Sequence, residues 1–357
     1  MTPTSRATHL TYSAGGGDGV TRRAALLMVG VLLLQLAFIT SYVGAFHNPR
    51  PERVDLAAVA PGPAVDQLVR DLDALPGEPF DARAVGSEAA AIRKIRHREV
   101  DAALVAAPAG TTDRLFVASG AGASLSLAVE QAVTAAEKAR GRAVRTIDVA
   151  PVRKGDARGL TSFYLVVGWC VGGYLCAAAL AISAGARPAT PHRALIRLGG
   201  LAAYSALAGL GGAVIAGPIL DALPGSVWAL WGLGALVVFA VGAATLACQA
   251  VAGVVGIGLA ILLVVVLGNP SAGGAYPYPL LPDFWRAIGP ALPPGAGTWT
   301  ARSIAYFRGN GVTGPLLVLA AWAVAGAAVT LIASALRGRR PGRGIQLVPP
   351  VPGSPHI

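Results

Sequence analysis

Catalytic and metal centres need clustered nucleophiles, acids, bases or ligands, and this 357-residue chain offers few such clusters. Its five histidines stand at 9, 47, 97, 192 and 356, without metal-ligand spacing. Cys170 and Cys176 lie on different faces of one apolar helix and Cys248 in another segment, so all three read as small packing residues. No G-x-x-x-x-G-K-[ST] occurs, and the Gly-rich "SAGGGDGV" has neither a lysine nor a preceding strand, so the chain has no phosphate-cradling loop of its own. The expectation is a protein that is not an enzyme, with no catalytic, cofactor-binding or metal-binding residues.

Two other groups of residues carry a recognisable chemistry. The first is the basic run "RPATPHRALIR", with Arg187, His192, Arg193 and Arg197, which suits either a docking protein or anionic lipid. The second is "GNPSAGGAYPYPLLPDFWRAIGPALPPGAGTWTARSIAYFRGNG", which mixes prolines and glycines with aromatic anchors. Within it Asn269, Pro270, Gly273, Gly274, Pro282, Phe284, Trp285 and Trp299 are candidates for a cap on the outer side of a membrane. Trp285, Trp299, Tyr306 and Phe307 suit the headgroup level. Segments 282–289 and 297–308 read as a helical pair, interfacial or re-entrant, broken by the prolines at 290, 293 and 294.

The elements that must position these groups are membrane spans. Hydrophobic residues make up 54% and charged residues 13%, about half the charge of an ordinary soluble domain. Charge-free runs at 24–46, 160–183, 198–220 and 315–336 are each long enough to cross. The run 227–268 is too long for one crossing and folds back at "QAVAG", residues 249–253. Six spans are therefore expected, with both termini on one side.

The formal charge of +11 does not point to nucleic acid once it is divided by segment. Residues 47–159 hold 15 of the 18 acidic and 16 of the 29 basic residues and are nearly neutral. The tails, 1–23 and 337–357, and the loop between the second and third spans hold Arg6, Arg22, Arg23, Arg187, Arg193, Arg197, Arg337, Arg339, Arg340 and Arg343 against Asp18. The positive-inside rule makes those segments cytoplasmic and residues 47–159 extracytoplasmic in a cell membrane. The "TRRAALLMVG" doublet resembles a twin-arginine signal, yet its apolar run is long for one and reads as an uncleaved anchor.

Residues 47–159 alternate strand-like and helix-like runs in a βαβαβ pattern that continues through a further strand, helix and strand. "AVDQLVRDLDAL" places Val65, Leu68, Leu72 and Leu75 at helical spacing, and Ser87 suits a helix cap. The fold class is thus an α-helical polytopic membrane protein with an α/β extracytoplasmic domain between helices 1 and 2. The span interiors lack ionisable residues, which weighs against a proton-driven pump. Gly168-x-x-x-Gly172 and Gly209-x-x-x-Ala213-x-x-x-Gly217 form small-residue stripes suited to close packing, within one subunit or across a homodimer or heterodimer.

"GNPSAGGAYPYPLLPDFWRAIGPALPPGAGTWTARSIAYFRG" resembles the last extracellular segment of ABC-2-type membrane domains, particularly the phage-infection-protein (YhgE/Pip) branch and its actinobacterial relatives. Asn269 to Gly274 and Leu281 to Trp285 carry the resemblance, and "KGDARGLTSFY" is similar to that branch's approach to the second span. The external domain is shorter than the long helical insertions of many members. The resemblance implies a permease-like exporter subunit, an ATPase on a separate chain, ATP used only through that partner, and a coupling role for the segment holding Arg187, His192, Arg193 and Arg197. The alternative is a cell-surface receptor or secretion scaffold that transports nothing.

Overall fold

The computed structural model describes residues 17–338; Arg6, Arg339, Arg340 and Arg343 lie outside the described residues. A long helix, α1 (Gly17–Phe46), leads into the α/β domain. There β1 (Val54–Val59), α2 (Ala64–Asp73), β2 (Phe80–Ala84), α3 (Glu88–Arg96) and β3 (Ala102–Val105) are followed by β4 (Thr112–Val117), α4 (Ala123–Ala139) and β5 (Ala143–Asp148). The sheet order is β2-β1-β3-β4-β5. Where a helix crosses over, strands pair in parallel; the short turn between β3 and β4 allows only an antiparallel pair. Ser87 caps α3 by accepting from Ala90 N at 3.2 Å, and Leu68 and Leu72 of α2 are buried against the sheet.

The rest of the chain is helical: α5 (Thr161–Ala184), α6 (Pro191–Val214), α7 (Val227–Ala252), α8 (Val255–Ile261), α9 (Asp283–Ile288), α10 (Pro293–Tyr306) and α11 (Thr313–Gly338). Five helices are long and apolar enough to cross a membrane: Ala24–Phe46, Thr161–Ala184, Pro191–Ile219, Val227–Ala252 and Thr313–Arg337. The chain has the make-up of a polytopic membrane protein. The remaining expected span is the shorter apolar helix Val255–Gly268, formed by α8 and a π-helical continuation from Leu262. At ~1.5 Å per residue it covers roughly 21 Å, less than the ~30 Å of a hydrocarbon core. The fold-back lies at Gly253, whose left-handed backbone (φ +66°) ends α7.

α7 is the hub of the bundle, packed by α5, α6, α10 and α11, with Val237, Val238 and Val241 fully buried. Glycine makes this approach close: a Cβ on Gly209 of α6 would lie 2.4 Å from the Ala235 nitrogen of α7. Gly209 and Ala213 of the expected stripe are buried, so that part of it packs within the chain, whereas Gly168 has open space beside it.

Candidate functional site

The connecting segment between Gly268 and Thr313 binds the α/β domain to the bundle. It starts in a 3-10 turn at Pro270–Ala272, forms a second at Tyr278–Leu280, and continues through α9, a third turn at Gly289–Ala291, and α10. Proline cannot continue a helix but suits its first turn, so Pro293 and Pro294 open α10 four residues ahead of the start expected at 297. The break lies just before them. Its freed carbonyl at Ala291 accepts from Trp322 Nε1 at 2.8 Å. Trp322 is nine residues into α11, about 14 Å from its start at ~1.5 Å per residue, so the hairpin dips into the bundle.

α10 is buried from Pro293 to Thr298 and again from Thr300 to Ser303, wedged among α5, α7 and α11. Of the interfacial and re-entrant placements expected for 297–308, this packing favours a segment set into the bundle. Its aromatic end is used inside the protein: Phe307 completes one face of the sheet domain's core, and Tyr306 Oη donates to Asp156. Leu280 completes the core on the other face. The sheet is thus gripped on both sides by the connecting segment, and domain and bundle share their packing.

Two arginines complete this junction. Arg98 follows α3 with a left-handed backbone (φ 61°), a turn that directs its side chain onto α10. Its guanidinium lies 3.4 Å from the Trp299 ring centroid and donates to Trp299 O at 2.9 Å and Ser303 Oγ at 2.7 Å. Burial, helped by the charge of Arg302, lowers its pKa to about 9, so it remains a cation at neutral pH. Arg302, buried in α10, donates to the Gly273 and Gly274 carbonyls, each at 2.6 Å. Tyr278 stacks on Trp299 with centroids 6.1 Å apart. Between them is a cavity of about 20 Å³, enough for about one water. Tyr278 and Arg302 line it, and their Oη and Nε have no partner among the described residues.

The candidate cap residues divide into two groups. Asn269, Pro270, Gly273 and Gly274 are buried beside α10, and Trp299 sits under Arg98. Gly273 has φ +68°, and a Cβ on Gly274 would lie 2.3 Å from the Phe163 ring, which explains the glycine pair. Pro282 precedes α9, Phe284 is 57% exposed, and Trp285 packs on it near Gly44 of α1. These three stand apart from the arginine junction.

The other candidate segment is shorter than the loop expected over 187–197. Thr190 accepts from Arg193 N at 3.3 Å and Pro191 opens α6, so residues from 191 onward are helix. Arg187 donates to Val251 O at the end of α7, and Arg197 to Ala184 O at the end of α5. Arg337 reaches Ala250 O from α11. These cations cap helix C-termini at the end of the bundle away from the sheet domain. His192 and Arg193 point outward and remain exposed.

A further crevice, about 460 Å³, lies at the carboxyl ends of β1 and β3, where the chain crosses from one side of the sheet to the other. Such crossover points hold ligands in open α/β sheets. Its charges are paired with one another: Asp113 with Arg142, Glu137 with Arg140, and Asp71 with Arg140.

Arg98, Tyr278 and Arg302 were not singled out in the sequence. The available signal was Arg302 itself, a lone cation between the apolar and aromatic residues of α10, which must find acceptors if the helix is buried. No family model matches the chain, and neither a curated protein nor a solved structure matches it.

Proposed function

We propose that the chain is the permease-like membrane subunit of an ABC-2-type exporter, working with an ATPase on a separate chain. In this reading Val255–Gly268 is the fifth of six crossings, the α/β domain is extracytoplasmic, and both termini are cytoplasmic in the cell membrane. The substrate is a hydrophobic or lipid-like molecule. ATP enters only through the partner.

The observation that carries the reading is the hairpin of α9 and α10. It dips between spans, stops partway, and is locked to the sheet domain through Arg98, Leu280 and Phe307. A movement of the spans therefore moves the domain as well, which suits a gate on the outer side. The arginines at the opposite end supply the charge asymmetry of a cytoplasmic face, and the exposed His192 and Arg193 lie where a partner can dock.

The test is affinity purification of the full-length protein from its own membranes, with a photoreactive residue at position 192. An ATPase should copurify, crosslink there, and confer ATP-dependent efflux after reconstitution. Absence of any associated ATPase, with no effect of ATP on the reconstituted protein, overturns the proposal. The crevice at β1 and β3 favours the second reading, a receptor whose α/β domain binds a ligand without transport. That reading predicts ligand binding that is unaffected by ATP.

A further inference from the structure

We infer that the protein holds the headgroup of an anionic phospholipid in a cleft between α3 and the end of α10. The cleft measures about 530 Å³ and is lined by Arg93, Arg96, His97 and Arg308 over a floor that includes Tyr306 and Phe307. Among the described residues no carboxylate lines it. Among the described residues none of these three arginines forms an ion pair; Arg70 and Arg145 elsewhere on the domain form none either, but only the cleft brings three such cations from two elements together. Unpaired cations converging on one concavity repel one another unless an anion joins them.

The arrangement is not explained by helix ends alone. Arg93 and Arg96 lie in the last turn of α3, where cations favour the helix dipole. Arg308 comes from a different element, the turn before α11, and holds a left-handed backbone (φ 55°) that non-glycine residues seldom adopt. Asn310 fixes that turn to α3 by donating to Arg96 O at 3.0 Å. The walls are also preorganised, since Tyr306 is bonded to Asp156 and Phe307 is buried in the sheet's core.

The position of the cleft and its neighbour distinguish a lipid from a free anion. Arg308 stands just before α11 begins at Thr313, level with the mouth of the bundle. On the bundle side it also borders a second cleft of about 430 Å³, lined by Ala229, Ile304, Ala305 and Tyr306. Ala305, Tyr306 and Arg308 belong to both. Trp228, 71% exposed on the first turn of α7, is an aromatic side chain of the kind found at a membrane interface. A phosphate on the arginines with its acyl chains toward Ala229 and Ile304 matches both halves. The inference needs the bundle to lie in a bilayer and does not depend on transport.

The experiment uses the purified full-length protein in nanodiscs and native mass spectrometry of retained lipid. Phosphatidylglycerol should be retained at least tenfold over phosphatidylcholine. The variant R93Q/R96Q/R308Q should lose that preference, and the control R70Q/K138Q/R145Q, with equal charge removed elsewhere on the domain, should keep it. A229W fills the apolar half without changing charge; it should weaken phosphatidylglycerol at least fivefold and leave inorganic phosphate binding unchanged. Equal retention of both lipids overturns the inference, as does unaltered preference in the cleft variant. Displacement of phosphatidylglycerol by millimolar inorganic phosphate, with A229W silent, overturns it in favour of a free-phosphate site. No ATPase enters the assay, so its outcome is separate from the fate of the exporter reading.

Discussion

α1 and α7 have almost the same mean hydropathy, 2.2 and 2.1, yet 6% of α1's apolar window is buried within the protein and 67% of α7's. Both are free of charge across their apolar cores, so hydropathy cannot separate them. Side-chain size on their neighbours does. α7 is met by glycines: Gly209 of α6, Gly173 of α5 and Gly326 of α11 each leave no room for a Cβ against its backbone. α1 displays Leu26, Leu27, Leu33 and Phe38 outward, and touches the bundle near its end through Ser41 on Val266 O and Phe46 on Tyr276. Apolarity assigns a helix to a bilayer, while close backbone approach assigns it a protein neighbour.

The largest expected effect comes from breaking that approach. Gly209→Leu should force α6 from α7 at a cost of about 3 kcal/mol or more, and most of the protein should leave the monodisperse peak in size-exclusion chromatography. A variant that elutes and melts as the parent does would mean that α7 is not held by close contact. Next is Arg302→Leu, which leaves two buried carbonyls without donors and should cost about 2–4 kcal/mol in thermal unfolding. Substitution without a change in midpoint would show α10 to be less buried than its packing implies.

A titration sharpens the contrast, because α1 has no Asp, Glu, Lys, Arg or His between Ala24 and Phe46, whereas the groups around α10 titrate. Burial, reinforced by Asp55 and opposed by Arg98, raises the Asp101 carboxyl from 3.8 to about 6. A carboxyl whose folded pKa exceeds its unfolded value favours folding while protonated. Its contribution is therefore full below about pH 4 and is lost as pH climbs through about 6. The unfolding midpoint should fall over that window, and Asp101→Asn should flatten the profile; an unchanged profile in the variant would exclude Asp101 as the source. The smallest effect belongs to α1 itself. Leu33→Ala, at a residue 61% exposed, should shift stability within ~0.5 kcal/mol, and a larger loss would mean that a second chain covers this helix.

The parts of the fold legible in the sequence are those set by short-range patterning. The period of Leu68 and Leu72 marks α2, Ser87 marks the start of α3, and the glycine after Gln249 marks the end of α7. The same local rules, applied further, would have started α6 at Thr190-Pro191 and α10 at Pro293-Pro294. What could not be read is partnership across the chain. Trp299 and Phe307 look like interfacial aromatics until Arg98 and the sheet are brought to them, and nothing near position 98 signals that contact. Arg187 and Arg197 read as a free basic surface until the carbonyls of two helix ends are seen beside them.

The grip of the connecting segment on the sheet has a consequence for biosynthesis. Arg98 meets its partner carbonyl 201 positions later in the chain, and the sheet lacks Leu280 and Phe307 until both have been made. At about 5–20 residues per second, the ribosome needs roughly 10–40 s to travel that distance. During that interval the nascent sheet has both faces unfinished and apolar, while the remaining spans are still being inserted. A holding chaperone in the compartment that receives the sheet would protect it during this wait, and a ribosome stalled before position 280 would release a domain with neither face closed.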